Sequence, residues 1–361
     1  MEPEEAVRPC WMEIDLAALE HNVAVLRSRL GPDKRIIAAL KGDAYGHGIG
    51  PVARCMARCD VHSVATGNLR DAIAIREAGV ALPILMFPGP LPKGMHQLLE
   101  HGLTPTVHDW TSARAVSDAA TQPTAVYLKV DSGLGRLGVS LDDALDFVGR
   151  LRELDHIVLE GVYTHLTFHD AAGRDWARER FAAFDAFLEK LEASGIDVPI
   201  TQALASTGLL AGLESRANAV CPGGILYGMS PVSQDIAVGG SYRPVVKAIK
   251  SRIIHIGARR VGVIPIGLAD GYGSLQPGAA AQVLLEGRRV RIQGVSLEYI
   301  MLDLSDFADA RIGDEVVLLG RSGDDEILLA DVASWQGTAP HEALMRFEGR
   351  LRARYLVEAS S

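Results

Sequence analysis

RIIAALKGDAYGHG (Arg35–Gly48) opens with six mostly apolar residues and ends on a lysine followed by a glycine-rich run. A short β-branched stretch of this kind reads as a buried strand, and the lysine at its end is out of place in an apolar setting. The pattern recurs downstream. Candidate strands are Arg35–Lys41, Val61–Gly67, Pro83–Gly89, Leu103–Asp109, Thr124–Asp131, Ile157–Leu166, Ile200–Ser206 and Ala219–Gly223. Helical periods separate them. In Asp175–Glu192, Phe181, Phe184, Leu188 and Leu191 share one face. Asp142–Leu154 does the same with Leu145, Val148 and Leu151. Strands alternating with helices predict a parallel sheet, and eight is the number that closes into a barrel. An open doubly wound sheet would carry GxGxxG after its first strand. The run Gly46-His47-Gly48-Ile49-Gly50 lacks that spacing.

After about Pro231 the pattern changes. Val245–Ile256, Arg260–Ile266, Ala281–Leu285, Val290–Gln293, Ile300–Leu304, Glu315–Leu319 and Glu326–Leu329 read as strands punctuated by Gly and Asp turns. The predicted architecture is an α/β eight-stranded barrel over residues 12–231 and a mostly antiparallel β domain over residues 232–361 together with 1–11.

Composition narrows the function. The 361 residues carry 36 Lys+Arg against 45 Asp+Glu, a formal charge of -9. No basic block is present, which argues against nucleic-acid binding. No run approaches the ~18 apolar residues of a membrane helix, and Met1–Pro9 shows no secretory h-region. A cytoplasmic, reducing location is expected. Cys55 and Cys59 lie four apart on a predicted helix, but no second Cys or His pair with metal spacing accompanies them. They read as small buried thiols, and no metal site is predicted.

In a βα barrel the reactive groups lie at the C-terminal ends of the strands. Lys41 falls at the first such end, and burial there would lower its pKa and make it an amine nucleophile. Lys129, Asp131 and Arg136 fall at the fifth, and Thr164-His165 at the sixth. Ser206-Thr207 lies at the seventh, and Cys221-Pro222-Gly223-Gly224 at the eighth. Barrels often bind phosphate after strands seven and eight, where Ser206, Gly223 and Gly224 lie. An amine opposite a phosphate cradle fits pyridoxal phosphate held as a Schiff base.

Lys41-Gly42-Asp43-Ala44-Tyr45-Gly46-His47-Gly48 resembles the pyridoxal-phosphate signature of the alanine racemases. Trp11–Leu16 with Glu20–Val23, Lys129–Gly138, Leu159–His165, Pro222–Gly228 and Pro265–Tyr272 resemble further segments of that family in order. The resemblance implies a barrel followed by a β domain, a homodimer, and an amino acid as substrate. Lys41 would carry the cofactor and act as acid and base at Cα. Tyr45, Ser206, Gly223 and Gly224 would hold the phosphate. Arg136 would meet the substrate carboxylate or a neighbouring group, Lys129 (carbamylated in some relatives) would fix Arg136, and His165 would lie against the pyridine ring.

The sequence also departs from the family pattern. Alanine racemases are two-base enzymes, with the Lys on one face and a partner-subunit Tyr on the other. Two β-domain tyrosines of the pattern are missing: Gly257–Arg260 alone replaces a longer hairpin, and Leu268 stands in Gly267-Leu268-Ala269-Asp270-Gly271. Cys221 replaces the Arg at the pyridine nitrogen, Ser296-Leu297-Glu298 replaces the Cys/Ser-Met-Asp motif, and Gly349 replaces a C-terminal Tyr. Tyr272, Tyr299, His255 and Cys221 are the candidate replacement acids. The expected function is a racemase-like enzyme acting at Cα, not on alanine by the usual Lys/Tyr route. The alternatives are a decarboxylase, aldolase or other lyase on the same cofactor, or a non-catalytic cofactor-binding protein.

Overall fold

The structure is a computed structural model that describes residues 7–88 and 90–356. The chain divides into two compact units. One comprises Ala18–Ala44 and Ile49–Arg243. The other holds, of the described residues, 7–17, 45–48 and 244–356.

Strand β1 (Cys10–Asp15) belongs to the second unit. The first unit contains β2 (Arg35–Ala39), β3 (Ser63–Thr66), β4 (Ile84–Met86), β5 (Thr104–Val107), β6 (Thr124–Asp131), β7 (Val139–Ser140), β8 (Ile157–Tyr163), β9 (Ile200–Ala205) and β10 (Ala219–Cys221). The order β5-β4-β3-β2-β10-β9-β8-β6 closes through a β5–β6 pairing, so the eight parallel strands form a barrel. Two-residue β7 pairs only with β6. All eight candidate strands of the first region are present, Thr124–Asp131 with its bounds unchanged and the other seven shorter by a few residues. Gly89, the end of the third candidate, lies outside the described residues.

The strands are buried on both faces, so they read as apolar runs rather than alternations. Ile37, Ala39, Ala65, Leu85, Tyr127, Tyr163, Ile200, Ala219 and Cys221 fill the barrel interior. The long helix Ala171–Ala193 buries Phe181, Phe184, Leu188 and Leu191, the face read from its period, and adds Phe187. Asp170 caps it by accepting from Gly173 N–H at 2.9 Å.

The second unit carries β11 (Val246–Arg252), β12 (His255–Ile256), β13 (Val261–Ile264), β14 (Gln282–Leu285), β15 (Arg288–Val295), β16 (Ile300–Asp303), β17 (Glu315–Ser322), β18 (Asp325–Ile327) and β19 (Arg352–Leu356). They form one sheet with β1 in the order β12-β13-β16-β15-β14-β17-β11-β1-β19, with β18 on β17. Every pairing is antiparallel except β1–β19. The expected division at residue 11 therefore falls inside β1, which pairs with β11 on one side and β19 on the other.

Two family departures have local structure here. Gly257–Arg260 makes a tight turn between β12 and β13, closed by Gly257 N–H to Val261 O at 2.9 Å. Gly267–Gly271 is fixed by Asp270, whose carboxylate accepts from Gly267 N–H at 2.9 Å and from Arg8 at 2.8 Å. That loop leaves Leu268 40% exposed.

Candidate active site

Because the barrel strands are parallel, the residues that follow their C-terminal ends gather at one mouth. Lys41 lies two residues beyond β2. It opens a six-residue helix, Lys41–Gly46, rather than closing the strand as the sequence had implied. This helix is left-handed. Gly42, Asp43, Ala44, Tyr45 and Gly46 have φ of +63, +49, +55, +56 and +79°. Three are not glycine, and each costs about 1–2 kcal/mol in that region. Strain of this kind persists only where surrounding contacts over-determine it. Ala44 N–H donates to Leu40 O at 3.0 Å, and Leu40 N–H to Ala65 O at 2.7 Å. Asp43 accepts Ile49 N–H at 2.7 Å.

The Lys41 side chain reaches solvent at the mouth. Burial lowers its ammonium below the ordinary lysine range. Cys221 opposes that shift and Arg136 adds to it. Lys129 projects from β6, is 5% exposed, and stands 4.5 Å above the Tyr163 ring. Burial first, then Arg136, pushes it down to about 7. His165 follows β8, and burial with Lys129, Arg136 and Lys41 nearby pushes it down to about 3. Its imidazole is neutral at pH 7. Arg136 is exposed in the loop after β6.

That loop is shaped by Asp131, whose two oxygens accept Gly133 N–H and Gly135 N–H, each at 2.9 Å. Gly138 returns the chain at φ +128°, where a Cβ would sit 2.7 Å from Asp131 N and 3.0 Å from Lys129 O. Only glycine fits there.

Cys221 ends β10 in the barrel core. Burial pushes its thiol up to about 12, with Lys41 and Lys129 pulling the other way. It is a neutral thiol facing two lysines. Tyr163 donates to Phe87 O at 3.3 Å and shares a hydrogen bond with Thr106 Oγ1 at 3.0 Å. Tyr127 packs edge-on to it, 6.4 Å between centroids. Sequence reading missed both tyrosines. Inside a strand they resemble core aromatics, and only the register, with Lys129 two residues after Tyr127 in β6, places Tyr127 inward beside it.

On the other side of the mouth, Ser206 starts the helix Ser206–Leu210. Its Oγ accepts Gly223 N–H at 2.9 Å and Ile225 N–H at 3.3 Å. Gly224 begins the 3₁₀ turn Gly224–Tyr227. A hydroxyl and clustered N–H groups at the start of a helical turn are the donor set an anion needs. Tyr45 lies in the left-handed turn, in the 45–48 segment that groups with the other unit. The candidate acids Tyr272, Tyr299 and His255 also lie in that unit. Tyr272 Oη is buried without a hydrogen-bond partner among the described residues, while Tyr299 is 43% exposed. Cys55 is buried and Cys59 half-buried, and no group of three His, Cys, Asp or Glu among the described residues is arranged to hold a metal.

Residues 14–231 match the family model of the alanine racemase N-terminal domain, and residues 250–355 that of the alanine racemase C-terminal domain. The alanine racemase of Syntrophobacter fumaroxidans is 34% identical over 354 residues, covering 92% of this chain and 93% of that protein. That of Halothermothrix orenii is 31% identical over 370 residues, covering 96% and 97%. The solved alanine racemase of Clostridium difficile 630 superposes with a TM-score of 0.88 at 27% identity, covering 97% of this chain and 96% of that one. The structure of its complex with cycloserine gives 0.87 at 28%, covering 96% and 95%. The left-handed lysine turn, the Ser206 donor cluster and these matches over both units lead to one conclusion: the chain belongs to the alanine racemase family, pyridoxal-phosphate-dependent isomerases built on a barrel and a β domain.

Proposed function

We propose that this protein acts at the Cα of an amino acid with pyridoxal phosphate, as a racemase-class enzyme whose reacting centre is altered from that of its relatives. The donor set fits the cofactor. Lys41, with its lowered pKa, is the amine that would carry it. Ser206, the N–H groups of Gly223 and Ile225, and the adjoining Gly224 would hold its phosphate, and the family resemblance adds Tyr45 to that set. When bound, the cofactor supplies an electron sink for the pair left behind when a bond to Cα breaks.

The chain's own groups do the rest. Lys41 takes the Cα proton from one face, burial favouring its neutral amine. Inversion needs a second group to return a proton to the other face, for which Tyr272, Tyr299, His255 and Cys221 are the candidates. Arg136 is exposed at the mouth, where it meets the substrate carboxylate with a fixed fork of donors. Lys129, pushed down to about 7, divides between its charged and neutral forms at neutral pH and leaves Arg136 the fixed cation beside it. His165, neutral, would lie beside the bound ring without adding charge. Cys221, a neutral thiol, would offer the ring nitrogen a weak donor in place of a guanidinium's positive charge. The single observation that carries this reading is the gathering of Lys41, Lys129, His165 and Cys221 within electrostatic reach of one another at a barrel mouth.

Incubating the cofactor-loaded protein with a panel of L-amino acids in D2O tests it. Exchange of Cα–H together with appearance of the D-isomer is expected for at least one of them. A bond broken without epimerisation is the second reading, and a specific observation favours it: Leu268 occupies the family's tyrosine position. Release of carbon dioxide or an aldehyde, with no D-isomer, identifies that outcome as lyase chemistry. Neither exchange nor release from any amino acid rejects both.

No helix among the described residues is long and apolar enough to cross a membrane. With all four cysteines free, we place the enzyme in the cytoplasm. The family resemblance supports a homodimer with a small amino-acid substrate, and the barrel and β-domain division near residue 231.

A further inference from the structure

The residue that would bear the cofactor is tied to the most strained backbone in the barrel unit. Lys41 is held on its N-terminal side by strand β2 and by Leu40 N–H to Ala65 O. On its C-terminal side the chain runs directly into five successive residues in left-handed conformation. Left-handed turns do not sustain themselves. Asp43, Ala44 and Tyr45 would each gain by relaxing to negative φ. Such a relaxation would swing the Cα–Cβ direction of Lys41, because its ψ feeds the turn.

A side-chain contact within the barrel unit closes this loop. Asp43 Oδ1 accepts the N–H of Ile49, at 2.7 Å, six residues on. Ile49 is the first residue of the helix Ile49–Arg58, so this N–H has no partner of its own within the helix. Aspartate is one of the few L-residues that tolerates left-handed φ, and its carboxylate is the acceptor a helix start takes best. A weaker contact, Asp43 N–H to Asp71 Oδ2 at 3.4 Å, braces the same residue from the Leu69–Glu77 helix. Asp71 in turn accepts from Thr66 Oγ1 at 3.2 Å.

We propose that Asp43 is a positioning residue for Lys41: its carboxylate staples the left-handed turn to the start of the next helix and so aims the amine into the barrel mouth. The inference rests on Lys41 being the cofactor-bearing lysine. Two substitutions separate the staple from the strain. Asp43→Asn keeps an acceptor and tolerates the left-handed conformation. Asp43→Gly relieves the strain at residue 43 but removes the acceptor, so it adds no backbone strain of its own.

The test loads the full-length wild-type, Asp43→Asn and Asp43→Gly proteins with pyridoxal phosphate and traps the attached cofactor by borohydride at timed intervals. Phosphopyridoxyl-Lys41 is read by peptide mass, well below the melting midpoint of each protein. Asn is expected to load within about twofold of wild type, and Gly about tenfold more slowly, the fold-change that matches loss of one hydrogen bond to a charged group. A role confined to stability would lower the melting temperature of the Gly protein and leave loading unchanged. Equal loading of Gly and wild type, or Asn as slow as Gly, overturns the inference while leaving the proposed function intact. A wild-type protein that takes no cofactor on Lys41 overturns both.

Discussion

The two sides of the barrel mouth are built on different physics. At the Ser206 side the groups are neutral: a hydroxyl and the N–H groups of Gly223 and Ile225, all at the starts of helical turns. At the Lys41 side they are basic: Lys41, Lys129, Arg136 and His165, with the Asp131 carboxylate beside them accepting from Gly133 and Gly135. The first side owes its properties to local backbone geometry. The second owes them to burial and mutual repulsion among groups distant in sequence, which lower Lys41, Lys129 and His165 together. An anchor can thus stay as it is while the chemistry beside it changes, because the two draw on separate sources of energy. Cys221 sits on the repelling side and adds no charge to it.

The contrast is open to attack in order of expected effect. The repelling side should dominate the pH dependence of stability. Native Lys129 titrates near 7 and an unfolded lysine near 10.5. Between those values the unfolded chain binds the extra proton, so this group makes stability rise with pH and imposes its full penalty below 7. Lys129→Met removes that penalty. In urea titrations from pH 7 to 8.5, over which the thiols contribute alike to both proteins, the variant should lose about 2 kcal/mol of the rise and gain most at pH 7. His165 acts alike at lower pH. Its native pKa near 3 lies below an ordinary 6.5, so stability climbs between those values and His165→Asn should flatten the climb. A pH-independent difference between wild type and Lys129→Met would mean that the lysine is not desolvated.

A smaller effect comes from the loop that joins the two sides. Gly138→Ala would press a methyl against Asp131 N and Lys129 O at φ +128°. It should cost about 1–3 kcal/mol in denaturant unfolding and displace Lys129. The smallest belongs to the neutral side. Ser206→Ala strips the acceptor from two N–H groups, costing about 1 kcal/mol of stability. Its larger consequence should be weaker cofactor retention on dialysis. If Ser206→Ala holds the cofactor as wild type does, the donor cluster is not the phosphate site.

The same contrast explains what the sequence disclosed. The barrel was legible because its strands are apolar on both faces and separated by helices of clear period. Thr124–Asp131 was read to the residue. Strands β1 and β19 were not, since CWMEID and RARYL become strands only by pairing with each other and with β11, across hundreds of residues. Ser206 and Gly223-Gly224 were visible as a local motif. The left-handed turn was not. Gly42 and Gly46 hint at its ends, but nothing in Asp43-Ala44-Tyr45 announces positive φ. Tyr127 and Tyr163, which line the charged side, looked like ordinary core residues, because what distinguishes them is the lysine above a ring and not their own type.

The central claim is that Lys41, and not the more deeply buried Lys129, is the amine that takes pyridoxal phosphate. Borohydride reduction of the cofactor-loaded protein followed by peptide mapping tests it directly. The account predicts phosphopyridoxyl on Lys41 alone, and none anywhere in Lys41→Ala. A label on Lys129, or equal labelling of Lys41→Ala and wild type, would contradict it.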